Sequence, residues 1–363
     1  MKLLFISSRD VRKNDNGGSQ CTNRNYLSFC ELLGVGHVDV INLSYEEKLS
    51  LKKRIIRRLN QFVGFYWGLS YQKVKYIIGI ARQYDYIFID TSSYGVIAYY
   101  LKKSGYSGRI ICHFHNIEYI IQCQKTRSNP LNFYKILLLH YNEKKACSYS
   151  DRLVALNKRD NISLERLYGV DSVKIIPISL PDKVFELLRE HESNMTSQPP
   201  TFIFIGNNWY ANIHGLKWFI NNVLDYVDIK LQIVGSDMEP LRKNFIHPKI
   251  EFLGFVPDLS IVLFAADYVI SPIFKGSGMK VKICESLMYG KNIIGTREAF
   301  SGYELEFERV GAVCNNKDEF INFINSKCYR IIKRFNAYSR QMFLEKYSFQ
   351  ATLGKFNELI NEL

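Results

Sequence analysis

Strand-length apolar runs recur along the chain, separated by longer segments with helical spacing. In the first half they are KLLFISS (2–8), HVDVINL (37–43), YDYIFIDTS (84–92), GRIICHF (108–114), RLVALN (152–157) and VKIIPIS (173–179). In the second half they are TFIFIG (201–206), IKLQIVG (229–235), KIEFLGF (249–255), DYVISPI (267–273), KNIIGT (291–296) and GAVCN (311–315). Continuous Val, Ile and Phe, with helices between the runs, predict parallel strands buried on both faces. The pattern occurs twice, so it predicts two doubly wound, Rossmann-like α/β domains facing a cleft. Between them KVFELLREHESNMTSQPP (183–200) is polar and ends in Pro-Pro, which reads as a helix and then a linker. The predicted boundaries are 1–183, a linker over 184–200, a second domain over 201–345 and a C-terminal helix over 346–363. Periodicity leaves open whether that last helix packs on its own domain or crosses back to the first.

Composition changes this picture mainly through charge. The 363 residues are 47% hydrophobic and 23% charged, which suits globular domains, and the net charge is +13. Residues 1–182 hold 27 Lys and Arg against 15 Asp and Glu; the remainder holds 21 against 20. An excess confined to one half points to an anionic partner there: nucleic acid, acidic lipid or a phosphorylated substrate. The eight cysteines form no CxxC pair and several lie in apolar runs, so they read as buried reduced thiols. MKLLFISSRD is a first strand and not a signal peptide, and no apolar stretch is long enough to span a bilayer.

Ligands of doubly wound sheets bind at the carboxyl ends of the strands, so the loops there hold the candidate chemistry. In FKGSGMKVKICESLMYG (274–290), Gly276 and Gly278 permit close backbone approach, and Ser277 or Gly278 can start a helix that Gly290 ends. The helix N-terminus with Lys280 and Lys282 suits a phosphate, although a capped helix with solvated lysines explains the same residues. Glu285 is either a surface partner of Lys282 or an acceptor for ribose hydroxyls. After the first strand of the second domain, GNNWYANIHG (206–215) offers the amides of Asn207, Asn208 and Asn212, with His214 at the helix start. In the first domain Gly17-Gly18 opens a helix whose N-terminus could accept an anion. ICHFHNIEY (111–119) sets His113, His115 and Glu118 beyond a strand; no further ligand cluster stands nearby in sequence, so no metal is predicted.

Taken in order, GNNWYANIHGLKWF, FLGFVPDLS (252–260), AADYVISPIFKGSGMKVKICESLMYGKNIIGT (265–296) and REAFSGYE (297–304) resemble the donor-binding half of GT-B glycosyltransferases, specifically family 4. The first half resembles the family more loosely, through GGSQ (17–20) and HNIEY (115–119). The resemblance implies transfer of a sugar from a nucleotide diphosphate with retention of configuration. It implies that Glu285 contacts the ribose, that His115 stands near the donor sugar, and that Gly18 offers its backbone to phosphate. Phe255 and Val256 would flank the base. Gly276, Ser277, Gly278 and Met279 would line the donor loop, with Ser277 where the family often has glutamate. Asn207 and His214 stand near the family's Arg/Lys pair, which leaves phosphate charge to Lys280 and Lys282.

Loss of the nucleotide leaving group needs stabilised negative charge, which lysines at a helix N-terminus can supply. No cofactor and no metal are therefore expected. From Lys48 to Tyr84 nine basic residues occur with no acidic one. Lys52, Lys53, Arg54, Arg57 and Arg58 interleave there with Phe62, Phe65, Tyr66 and Trp67, either a solvated helix face with core aromatics or a surface for anionic lipid. The second reading makes the acceptor a lipid-linked glycan and the protein peripheral on the inner face of the plasma membrane, in cell-surface polysaccharide synthesis of the O-antigen or capsule type. A sugar-nucleotide epimerase or a phosphorylase are the alternatives within the fold. Nucleic-acid binding is the alternative from another class, without a recognisable motif to support it.

Overall fold

The computed structural model describes residues 1–13, 16–43, 50–126, 133–170, 173–184, 199–326 and 333–361, without the side chains of 51–54 and 126. The chain forms two compact units: Met1–Pro177 with Thr352–Leu363, and Ile178–Ala351. Most of the segment predicted as linker, 185–198, lies outside the described residues.

Unit 1 alternates strands and helices: β1 (Leu3–Ser7), α1 (Gly17–Leu33), β2 (Val38–Asn42), α2 (Leu51–Phe62), α3 (Tyr71–Ala81), β3 (Tyr86–Ile89) and α4 (Val96–Lys103). It continues through β4 (Arg109–Phe114), α5 (Glu118–Thr126), α6 (Phe133–Tyr149), β5 (Arg152–Ala155), α7 (Lys158–Tyr168) and β6 (Lys174–Ile175). The sheet order is β2-β1-β3-β4-β5-β6 and all its pairings are parallel. The apolar runs fold this way because both faces are covered. Leu4 and Ile6 of β1 join one core cluster, while Leu3 and Phe5 join another on the opposite face.

Unit 2 contains β7 (Thr201–Ile205), α8 (Tyr210–Asn222), β8 (Lys230–Val234), β9 (Ile250–Gly254), α9 (Leu259–Ala265), β10 (Tyr268–Ser271) and α10 (Val281–Met288). After these come β11 (Asn292–Gly295), α11 (Phe307–Val310), β12 (Gly311–Val313), α12 (Lys317–Asn325) and α13 (Ala337–Met342). Its sheet order is β12-β11-β10-β7-β8-β9, again parallel. The doubly wound α/β architecture read from the apolar runs is therefore present in both halves. Asp39 and Glu251 lie on the edge strands β2 and β9, where one flank meets solvent.

The last helix, α14 (Phe349–Asn361), spans the boundary, and its residues from Thr352 belong to unit 1. Phe356, Leu359 and Ile360 are buried in the cluster that also holds Phe5, Phe29 and Phe88. The Phe356 ring meets Phe29 edge-on at 5.4 Å, and the Tyr86 hydroxyl donates to the Ile360 carbonyl at 3.1 Å. Burying three large apolar side chains contributes about 1.5–3 kcal/mol each.

Candidate active site

In unit 2 the loops after β7, β10 and β11 emerge at the carboxyl edge of the sheet. Gly206 ends β7 where any side chain would meet the Asn212 amide, and Gly215 lets α8 lie against the Pro272 carbonyl at the end of β10. An added Cβ at Gly215 would stand 1.9 Å from that oxygen, so only glycine permits this approach. The α8 helix starts at Tyr210, with Trp209 as its cap, and no side chain caps it. His214 is therefore a full turn into the helix, exposed, and not at its start as its spacing predicted. Burial and the neighbouring Lys275 charge hold its imidazole below the usual range.

The GSG loop differs more from its sequence reading. Neither Ser277 nor Gly278 starts the helix; α10 begins at Val281, with Lys280 as a cap whose side chain makes no capping bond. Gly276 (φ +134°) and Gly278 (φ +63°) take left-handed conformations that keep the chain out of the helix for one more turn. Lys280 and Lys282 are also not solvated. The Lys280 ammonium lies 2.6 Å from Glu298 Oε1 and donates to the carbonyls of Gly278 (3.2 Å) and Ser277 (3.4 Å), so it cross-links the loop. The Lys282 ammonium donates to Asn212 Oδ1 at 2.8 Å and lies 4.6 Å from the centre of the buried Phe204 ring. The Asn212 amide in turn donates to Asn207, to its Oδ1 at 3.0 Å and its carbonyl at 3.1 Å.

Lys282, Asn212 and Asn207 thus form one chain from the start of α10 to the end of β7. The lysine as a residue is half-buried, yet its ammonium end sits against the ring. Burial pushes its pKa down to about 7, with Lys280 adding to the fall and Glu285 opposing it. A lysine poised there can change charge when an anion arrives.

Tyr303 fixes the helix start, donating to the Lys280 carbonyl at 2.9 Å and accepting from Cys284 N at 3.1 Å. Glu285 is half-buried one turn into α10, Met279 is buried, and Ser277 and Gly276 are half-buried in the loop. Asn208 is exposed, Phe255 is 67% exposed, and Val256 beside it is half-buried. An exposed aromatic next to Gly254 (φ +67°) is a surface on which a planar base can stack.

In unit 1 the Gly17-Gly18 helix start is already capped. Asn16 Oδ1 accepts from Gly18 N and Ser19 N, both at 3.0 Å, and Ser19 Oγ accepts from Asn16 N at 2.9 Å. The Gly18 N–H is thus engaged, but the Arg9 guanidinium stands where a Gly18 side chain would be, within 2.9 Å of the ideal Cβ. Arg9 is a cation at this helix start that the sequence reading did not include.

His115 is buried, with Nε2 3.2 Å from Asp90 Oδ1. Asp90 also accepts from Thr22 Oγ1 (2.6 Å), Asn25 Nδ2 (2.9 Å) and Ser7 Oγ (3.1 Å). Burial opposes charge on His115, but Cys21 and Asp90 outweigh it and raise the imidazole to about 10. Against its burial, His115 first, then His113 and the Thr22 hydroxyl, hold Asp90 well below the usual carboxylate range. Cys21 differs from an inert buried thiol: burial opposes its ionisation, yet His115 and Arg24 lower its pKa overall. Asp90 and Cys21 come from separate elements, and only folding sets them beside His115.

On the basic segment, Lys52, Lys53 and Arg54 have side chains outside the described residues. The Arg57 guanidinium stacks on the Trp67 ring at 4.6 Å, and Arg58 on Tyr134 at 4.7 Å. Phe65 is a core residue, whereas Ile55, Ile56, Leu59, Phe62 and Val63 are exposed, Phe62 by 84%. No helix among the described residues is long and apolar enough to cross a membrane.

Residues 199–326 match the family described as glycosyl transferases group 1, the stretch that holds all the unit 2 loops above. Among solved structures the chain resembles sucrose-phosphate synthase from Thermosynechococcus elongatus, at a TM-score of 0.76 and 12% identity, covering 100% of this chain and 99% of that one. It also resembles HepE from Anabaena, solved with UDP-glucose, at a TM-score of 0.70 and 15% identity with both chains fully covered. A third is the UDP-forming α,α-trehalose-phosphate synthase from Burkholderia xenovorans, solved with glucose-6-phosphate, at 0.61 and 11% over 100% and 99%. At these identities the likeness is one of fold, the GT-B fold. No curated protein sequence matches the chain.

Proposed function

We propose that this chain, a glycosyltransferase of GT-B type, moves a hexose from a nucleotide-diphosphate sugar to a lipid-linked saccharide, with retention of configuration, in cell-surface polysaccharide synthesis. The observation that carries the donor half is the chain Lys282–Asn212–Asn207 at the uncapped start of α10. A diphosphate there meets a cation whose charge is raised by its own arrival. Preorganised donors aimed at developing charge are a large catalytic term, and no metal is assigned to that step. Lys280, locked to Glu298, holds the loop in shape and contributes field without needing to move. Glu285 serves the ribose, Phe255 and Val256 the base, and Asn208 and His214 the rim of the loop. The family resemblance assigns Gly18, with Arg9 beside it, and His115 to phosphate and sugar, and retention rests on the same resemblance.

The Anabaena relative's UDP-glucose supports a UDP-hexose as the first donor to test. A thermal-shift panel of UDP-, GDP- and other nucleotide sugars should show one stabilising base; at a hundred times Kd the gain is about 2.7 kcal/mol. Stabilisation by none of them would remove the donor assignment.

The acceptor half rests on α2. Exposed Ile55, Ile56, Leu59 and Phe62 beside Arg57 and Arg58 suit an anionic lipid surface, as expected for an enzyme acting peripherally at the inner leaflet. Nucleic acid as partner is disfavoured because no nucleic-acid recognition motif accompanies the basic segment.

A further inference from the structure

The sequence placed His113 and His115 two apart and found no third ligand; folding supplies one. Cys21, in the second turn of α1, lies with His113 and His115 so that one ligand atom from each falls within 4.8 Å of the others. All three residues are buried. We propose that Cys21, His113 and His115 form a binding site for a soft divalent cation of the zinc type, with Asp90 as its carboxylate support.

The donor chemistry fits. One thiolate and two imidazoles are the ligands zinc prefers, at about 2.3 Å for sulfur and 2.0–2.1 Å for nitrogen. Those lengths put tetrahedral ligand atoms roughly 3.3–3.6 Å apart, so from separations within 4.8 Å the three groups must draw together by about 1.5 Å at most. His115 already has the carboxylate support that metal-bound imidazoles use. Asp90 Oδ1 holds His115 Nε2 at 3.2 Å, and the Asn25 amide meets His113 Nδ1 at 3.1 Å.

A second observation points the same way. His113 Nε2 is fully buried with no hydrogen-bond partner among the described residues. A buried ring nitrogen without a partner is costly unless something fills the role. Charge is also provided for: the cation would face the Cys21 thiolate and the Asp90 carboxylate, against one nearby guanidinium, Arg24, whose Nη2 is 3.6 Å from Cys21 Sγ.

Cobalt(II) is the probe, because a bound thiolate gives a charge-transfer band in the near ultraviolet. The full chain should bind about one equivalent with that band, and Zn(II) should displace it. Cys21→Ser should abolish the band, and His113→Gln should keep it while weakening Co(II) binding by more than the roughly 10–100-fold that loss of an outer-shell partner costs. Cys30→Ser, a buried thiol on the same helix, should change neither, and circular dichroism reports whether each variant is folded. No band in the wild-type chain, or a band that survives Cys21→Ser, overturns the site. The site shares His115 with the proposed reaction, but its readout is metal binding and not sugar transfer, so the two fail separately.

Discussion

Lys282 is the residue on which the proposed donor site turns. Its ammonium lies between Asn212 and the Phe204 ring, and burial lowers its pKa to about 7. At pH 8 most of the free protein therefore has this lysine neutral, whereas a bound diphosphate favours the charged form. Donor binding at pH 8 is expected to take up a proton, and affinity should fall as pH rises above 7. Calorimetry in buffers of different ionisation enthalpy measures the uptake, which Lys282→Met should remove. For stability the sign follows from a folded pKa below the unfolded one. The unfolded chain binds more protons between about 7 and 10.5, so this residue's contribution rises with pH across that window. Glu285→Ala tests the ribose assignment: loss of a hydrogen bond to a charged acceptor should weaken UDP-sugar binding about 10–100-fold, with the melting temperature of the free protein little changed. Unchanged affinity would remove Glu285 from the site.

At the scale of elements, α10 shows how a helix is placed for chemistry. Its start is held by Tyr303 and the Lys280–Glu298 pair. Its end is a Schellman turn, with Gly290 N donating to Leu287 O and Lys291 N to Ser286 O. Gly290 has φ +58°, and a Cβ there would lie 2.4 Å from the Phe335 ring. Gly290→Ala should therefore cost about 1–2 kcal/mol in left-handed backbone strain, and more if the ring is displaced. Urea denaturation followed by circular dichroism would show the lower midpoint; an unchanged midpoint would mean the turn relaxes freely.

The α2 face gives a prediction of the same size. Each basic residue near an anionic leaflet contributes about 1 kcal/mol. Arg57→Glu with Arg58→Glu should then lower partition onto anionic vesicles at least about thirty-fold, with no change on neutral ones. Equal flotation of the wild type with both vesicle types would sink the membrane reading. Arg57 also stacks on Trp67, so tryptophan fluorescence should report whether the local packing survives.

Across the whole molecule, the excess of positive charge sits in the half that carries α2, while the half containing the stretch 199–326 that matches glycosyl transferases group 1 is nearly neutral. Raising salt should therefore weaken vesicle binding, which depends on exposed charges within a Debye length, much more than it weakens UDP-sugar binding. The sequence alone was enough for the two parallel sheets, because strands buried on both faces must be written as unbroken apolar runs and helices must separate them. It was also enough to mark GNNWYANIHG and KGSGMKVKICE as loops at strand ends, since glycine and asparagine leave a local signature. Partners distant in the chain were not legible there. Glu298 locks Lys280 across 18 positions, Asn212 holds Lys282 across 70, and Asp90 meets Thr22 across 68. Whether a lysine is solvated or poised, whether a helix start is open or capped, and whether a cysteine is inert or beside two histidines depend on distance and burial. Those quantities exist only once the strands have brought remote segments to one edge of a sheet.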